Sequence, residues 1–253
     1  MAELEVILTP AELPALARRD LRDAVCVVFD VLRATSTFVT ALHNGTKAIV
    51  PVSEIAEALA IRKKQPDVLL GGEREGVRIC AAQTGGIDFD LGNSPREYTA
   101  GKVRGRIIAS TTTNGTRALR ACAGAKTVLA ASFLNLTVTA RFVEKLQPVQ
   151  VLLVCAGTRE NMALEDVLAA GAFCELLMAD FFDSAKMARR VYAQAKSDLP
   201  AAVRGSENAQ RLLAIPELRD DVPFCLQRDV CPLIAKMEAD GLVRKQSKSS
   251  KQK

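Results

Sequence analysis

The stretch Val25-Cys26-Val27-Val28-Phe29-Asp30-Val31-Leu32-Arg33-Ala34-Thr35-Ser36-Thr37 decides the fold. Its uninterrupted apolar start predicts a strand, Val25–Asp30, covered on both faces. A polar turn follows. The residues after Thr35 then carry a helix that stops near Gly45, where glycine suits a C-terminal cap. The next strand, Ala48–Val52, completes a strand–helix–strand unit.

The same rhythm extends outward. Further strands are predicted at Glu5–Leu8, Val68–Leu70, Arg106–Ser110, Thr127–Ala131 and Gln150–Cys155. Ser53 precedes a helix Glu54–Lys64 stopped by Pro66, and another helix follows Asn135 and ends before Pro148. This alternation predicts an α/β fold with a mostly parallel or mixed central sheet flanked by helices. Beyond Cys155 the pattern changes. Glu165–Phe182 reads as one long buried helix, followed by Ala185–Ala195 and a third helix after Ser206. The closing segments Val222–Leu226 and Cys231–Gly241 are expected to add an edge strand and a last helix. No Pro-, Gly- or Ser-rich linker interrupts the chain, so residues 1–243 are read as a single domain.

Composition narrows the function. The chain has 253 residues, 49% hydrophobic and 25% charged, with a net charge of +5. That surplus lies in the last ten residues, 244–253, with five basic and no acidic side chains, which read as a disordered basic tail. The rest is neutral. Aromatics are 4% with no Trp, which leaves no stacking platform for nucleic acid. No apolar run approaches the roughly 18 residues of a membrane span, and the acidic start lacks a secretory leader. A cytoplasmic location is expected. Seven scattered cysteines and one histidine fit neither a disulfide framework nor a Cys/His zinc site. The apolar helix Val167–Phe182 is expected to bury in the core or at a homodimer interface.

Ligands of open parallel sheets bind beyond the strands' carboxyl ends, and here the polar residues collect at strand exits. They are Asp30 to Thr37, Gly71 to Gly76, Ser110 to Thr116, Ser132 to Asn135, and Cys155 to Glu160, with the loop Asp88 to Pro95. Taken singly, each has a plain reading: hydroxyls cap helices, Gly-Asn-Ser-Pro makes a turn, and loop carboxylates face water. Their recurrence points to a site, because no cap requires Arg33, Arg74 and Arg159 as well. Helix N-termini after Thr35 and Thr116 offer free N–H groups to an anion, arginines suit phosphate or sulfonate oxygens, and Asp and Glu oxygens suit Mg²⁺. Other phosphatase chemistries fit poorly. Three residues separate Cys155 from Arg159, too few for a cysteinyl-phosphate loop. Asp88-x-Asp90 follows no apolar strand, and His43 sits in a helix's last turn.

Six segments in order resemble the 2-phosphosulfolactate phosphatase family: Asp30–Thr37, Gly71–Arg74, Phe89–Pro95, Thr112–Thr116, Ala131–Asn135, and Cys155–Gly157 with Glu165 and Asp166. The resemblance spans about residue 25 to about residue 230. It implies a three-layer α/β fold and a Mg²⁺-dependent phosphomonoester hydrolase that converts 2-phospho-3-sulfolactate to 3-sulfolactate in coenzyme M biosynthesis. Between Glu73 and Phe89 the loop is longer than the family pattern and borders the expected site, which leaves a related small phospho-acid open as substrate. The expected catalytic residues are Asp30, Arg33 and Glu73, with Mg²⁺ held by carboxylates chosen from Asp30, Glu73, Glu165 and Asp166. Substrate binding is expected from Thr35, Ser36, Thr37, Arg74, Asn93, Ser94, Thr112, Thr113, Asn114, Gly115, Thr116, Asn135 and Arg159. The alternative is a non-catalytic sensor of a phosphorylated or sulfonated metabolite using the same pocket.

Overall fold

Every residue of Ala24–Phe29 is buried, and its side chains alternate between two cores. Val25, Val27 and Phe29 enter one core, and Ala24, Cys26 and Val28 enter the other. A strand that buries both faces must lie between two layers of helix. The computed structural model, which describes residues 1–246, shows those layers around one mixed sheet.

The strands are β1 (Ala2–Ile7), β2 (Ala24–Phe29), β3 (Ala48–Val52), β4 (Leu69–Arg74), β5 (Val77–Arg78), β6 (Ile107–Thr111), β7 (Thr127–Ala131), β8 (Gln150–Cys155), β9 (Ala179–Phe181), β10 (Ala235–Met237) and β11 (Val243–Lys245). Their order is β5-β4-β6-β3-β11-β10-β7-β2-β8-β1-β9. Two parallel blocks, β4-β6-β3 and β7-β2-β8-β1-β9, are joined by the antiparallel hairpin β10–β11. The longer helices are α1 (Ala34–His43), α2 (Ile55–Lys64), α3 (Gly115–Ala121), α4 (Leu136–Leu146), α5 (Leu164–Cys174), α6 (Asp183–Ala195), α7 (Leu199–Arg204), α8 (Glu207–Leu213) and α9 (Asp221–Cys225).

The first core packs Leu136, Ala140 and Val143 of α4, Leu168 and Phe173 of α5, and Ala188 and Tyr192 of α6 onto β2 and its neighbours. Phe29 meets Phe173 edge-on, with ring centres 5.8 Å apart, a geometry worth about 1 kcal/mol beyond its buried area. At Gly171 a Cβ would lie 2.2 Å from the Ala188 carbonyl oxygen, so glycine sets the close approach of α5 to α6. The second core receives Phe38, Val39 and Leu42 from α1 and Ala118 and Leu119 from α3. A smaller cluster of Val52, Ala58, Leu70 and Ala109 seats α2 over β3, β4 and β6. The result is the expected three-layer α/β fold. Among the described residues no helix is long and apolar enough to cross a membrane.

Three expected elements differ. The helix expected over Glu165–Phe182 ends at Cys174, and the chain returns as β9 to pair in parallel with β1, Leu4 facing Phe181. The run Leu176-Leu177-Met178 is apolar enough to read as more helix, but it forms the turn into Ala179–Phe181, which takes the open edge of β1. Val222 lies in helix α9 rather than an edge strand. The segment expected as a last helix holds β10, which turns at Asp240-Gly241 (Gly241 φ 78°) into β11 and inserts mid-sheet. Asp-Gly is a hairpin dipeptide, but three-residue strands are too short to show a period. Arg244 and Lys245, the start of the expected tail, are in β11; residues 247–253 of that tail lie outside the described residues.

Candidate active site

Four strand exits are tied together by side chains. The end of β2 delivers Asp30, whose carbonyl accepts from the Thr35 N–H (3.0 Å) and whose Oδ1 accepts from the Ala34 N–H (3.0 Å), folding the carboxylate against the first turn of α1. Asp166, in the first turn of α5, accepts from the Val31 N–H (2.8 Å) and the Gly157 N–H (3.0 Å), joining the exits of β2 and β8. The Asn114 amide donates to the carbonyls of Ala156 (2.8 Å) and Arg159 (2.9 Å), joining β6 to β8. Glu73 at the end of β4 accepts from the Thr113 N–H (2.9 Å) and hydroxyl (3.0 Å) and from the Gly76 N–H (2.7 Å). Gly115 opens α3 with space for nothing larger. A Cβ there would lie 2.6 Å from Asp30 Oδ2 and 2.6 Å from Ala34 Cβ.

These exits enclose a small cavity of about 60 Å³, well under the several hundred Å³ that a drug-sized ligand needs. Of the expected site residues, Asp30, Arg33, Glu73, Asn93, Thr113, Asn114 and Arg159 line it. Glu75 and Gly76 join them from the long loop, whose start is the β4–β5 hairpin. Arg33 is nearly inaccessible. It pairs with Asp221 (2.7 Å) and donates to the Gly76 carbonyl (2.6 Å). Arg159 is exposed and pairs with Glu75 across the mouth (3.2 Å).

The other expected residues stand behind the lining. The Thr35 hydroxyl donates to the Asp30 carbonyl and Ser36 to the Val31 carbonyl, bracing the turn, while Thr37 ties α1 to the Asn93 carbonyl; none of the three lines the cavity. Thr112 and Thr116 bond to each other at the start of α3. Arg74 turns toward Ser53 and Thr111, and the Asn135 side chain bonds backbone at Ser132, Ala130 and Leu233. Ser94 donates to Asp221 Oδ1 (2.6 Å). Glu165 and Asp166 are buried one layer back: Glu165 Oε1 accepts from Asn208 (2.6 Å). Cys155 is fully buried at the end of β8, and burial pushes its thiol well above the usual range, which fits a core residue rather than a nucleophile.

Sequence reasoning missed Asn208 and Arg211, which α8 brings to the cavity wall, and Asp221 at the start of α9. Their only signal was the i, i+3 spacing of Asn208 and Arg211 after the capping Ser206. Nothing in a helix far from the strand exits marks it as part of the site.

Electrostatics sets this region apart. Burial, opposed by the Ala34 N–H and reinforced by the charges of Glu73 and Glu165, pushes Asp30 up to about 7. Burial and the charges of Asp30 and Glu165 hold Asp166 well above the carboxylate range. Four polar atoms around the cavity are buried without a partner: Asn93 Oδ1, Asn114 Oδ1, Glu165 Oε2 and Arg211 Nε. Crowded buried carboxylates with a free oxygen favour a cation. Among the described residues no three acidic, His or Cys side chains converge as a ready-made cage.

The profile of the 2-phosphosulpholactate phosphatase family matches residues 8–240. Among similar proteins, the probable 2-phosphosulfolactate phosphatase of Caldanaerobacter subterraneus subsp. tengcongensis is 38% identical over 232 residues, 89% of this chain and 92% of its own. That of Thermotoga maritima is 40% identical over 205 residues, covering 81% and 85%. That of Clostridium acetobutylicum is 34% identical over 220 residues, covering 85% and 89%.

Proposed function

The chain belongs to the 2-phosphosulpholactate phosphatase family and is a phosphoric monoester hydrolase, and from that premise we propose that it cleaves 2-phospho-3-sulfolactate, or a closely related small phospho-acid, with Mg²⁺. The observation that carries this reading is the meeting of Asp30 and Glu73 with three arginines, 33, 159 and 211, on one small cavity. A polar lining with three arginines suits a short, highly anionic ester. The substrate named for the relatives supports the choice. Removal of phosphate from phosphosulfolactate would place the enzyme in coenzyme M biosynthesis. Six buried cysteines among seven free ones suit a reducing compartment, and the cytoplasm is the proposed location.

Asp30 and Glu73 line the cavity and would hold the metal. Asp30 Oδ2 carries no hydrogen bond among the described residues, and Glu73 keeps acceptor capacity beyond its three bonds. Bound there, Mg²⁺ supplies Lewis-acid polarisation of the phosphoryl oxygens. The chain's own residues do the rest. Arg33 is fixed by Asp221 and the Gly76 carbonyl and presents a positive charge that needs no reorganisation as charge builds on the phosphoryl group. Arg159, exposed at the mouth, exchanges Glu75 for the entering anion. Asn93 and Asn114 contribute carbonyl oxygens that take hydrogen bonds from water, holding the attacking molecule on the phosphate. Asp166 and Glu165 fix the β8 exit and the α8 wall from behind.

The test is release of inorganic phosphate from 2-phospho-3-sulfolactate by the purified protein. Turnover is expected with Mg²⁺, loss with EDTA, and recovery on adding Mg²⁺ back. Full turnover in EDTA would remove the metal. Tight binding of the ester with no phosphate released would leave a sensor in place of an enzyme.

A further inference from the structure

Helix α8 gives the cavity a wall of Asn208, Arg211 and Leu212 that the hydrolysis of a phosphate ester does not itself require. Arg211 is half-buried, and its Nε is fully buried with no partner. A buried N–H without an acceptor is costly, so native structures rarely keep one idle. Its guanidinium is nevertheless held in place, because a terminal nitrogen donates to Asn208 Oδ1. Asn208 is fixed in turn: its amide nitrogen donates to Thr158 Oγ1 (2.6 Å) and Glu165 Oε1 (2.6 Å). With both amide hydrogens facing acceptors, the Asn208 oxygen is left for arginine. The chain Glu165–Asn208–Arg211 therefore presets a cation on the cavity wall. The other two arginines serve the phosphoryl group, Arg33 held by Asp221 and Arg159 at the mouth beside Glu75.

We propose that Arg211 selects among phosphate esters by binding a second acid group, a carboxylate or sulfonate carried close to the ester. Among the described residues its terminal nitrogens have only Asn208 as an acceptor, which leaves N–H donors on the cavity wall for such a group. This rests on the phosphatase reading. It adds that the enzyme prefers phosphorylated acids to neutral phosphate esters, and that the preference is set from helix α8.

The experiment compares wild type, Arg211→Gln and Arg211→Lys in Mg²⁺, on 2-phospho-3-sulfolactate, 2-phosphoglycolate and phenyl phosphate, which has no second acid. The quantity read is selectivity, kcat/KM for each acid-bearing ester divided by that for phenyl phosphate. A charged hydrogen bond of ordinary strength predicts a roughly 10- to 100-fold fall in selectivity for Arg211→Gln, carried by KM. Arg211→Lys keeps the charge without the guanidinium and falls between, and it decides the matter alone if Arg211→Gln does not fold. A fall for 2-phospho-3-sulfolactate alone assigns the sulfonate, a fall for both acid-bearing esters assigns the carboxylate, and a fall for 2-phosphoglycolate alone overturns the proposal. Equal losses on every ester, or an unchanged ratio, overturn the proposal. If wild type hydrolyses none of them, the phosphatase reading fails separately. Calorimetric titration with 3-sulfolactate and with inorganic phosphate then decides for Arg211. The assignment stands if Arg211→Gln weakens 3-sulfolactate at least tenfold more than phosphate, and it falls if the two weaken alike or wild type binds no 3-sulfolactate.

Discussion

Replacing Asp221 by asparagine removes one charge and almost no volume. Asp221 is 0% exposed and Arg33 only 3%, so this ion pair has no water to fall back on. Two unit charges about 4 Å apart attract by about 4 kcal/mol at an effective dielectric of about 20. Breaking a buried pair from one side typically costs about 3–5 kcal/mol, because the surviving charge stays buried. In Asp221→Asn the amide oxygen can serve either Arg33 or the Ser94 hydroxyl, so Arg33 is left with neutral acceptors and no buried counter-charge. For a chain of this size the loss converts to a fall in Tm of roughly 10 °C. Because Arg33 lines the cavity, kcat/KM for the phosphate ester falls with it, by more than tenfold. Thermal melts by circular dichroism and steady-state phosphate release read the two effects. The double variant Asp221→Asn, Arg33→Met sharpens the test: without the orphaned charge it melts above Asp221→Asn while remaining inactive. An Asp221→Asn protein with Tm within about 2 °C of wild type, or a double variant no more stable than the single, would refute the reasoning.

Gly115→Ala pushes a methyl to 2.6 Å from Asp30 Oδ2 and Ala34 Cβ. Overpacking of this kind costs about 1–3 kcal/mol, and displacement of the carboxylate should lower kcat more than tenfold while Tm drops by only a few degrees. Asp30→Asn should abolish phosphate release yet leave Tm in EDTA unchanged or higher, because it removes a charge the fold resists burying. The same logic gives a pH dependence for metal-free protein. Asp30 sits at about 7 in the fold against 3.8 when free, so the native state binds its proton more tightly. That stabilisation is complete below pH 4 and is lost as pH rises through 7, by about 4 kcal/mol. Denaturant titrations in EDTA between pH 5 and 8 should show the decline, and saturating Mg²⁺ should reverse it. A flat profile in EDTA would mean that Asp30 is not buried as a charge.

The first strands were readable because Val25–Phe29 and Gln150–Cys155 are apolar on both faces and run straight into polar turns. Asp30 was readable as the first polar residue past Val25–Phe29, and Arg33, Glu73, Thr113 and Asn114 as members of the polar segments that close their strands. Thr35, Ser36 and Thr37 show the limit of that logic. A hydroxyl at a strand exit can serve the backbone as well as a ligand, and here backbone carbonyls claim all three, two in the turn itself and one at Asn93. Asn208, Arg211 and Asp221 were unreadable because long-range packing alone brings them to the cavity. The Ala235 and Val243 strands failed for want of length, although Asp240-Gly241 marked their turn.

The hairpin of β10 and β11 bridges the two halves of the sheet with residues that follow both halves in sequence. Until it emerges, β3 and β7 each present an unsatisfied edge, and the nascent chain carries two open templates for pairing with a neighbour. Closure of the sheet thus waits on a segment that is made after both halves. Truncation before Ala235 would leave both halves with open edges rather than a shortened enzyme, so a hairpin remote from the chemistry in sequence governs whether the chain escapes edge-to-edge pairing.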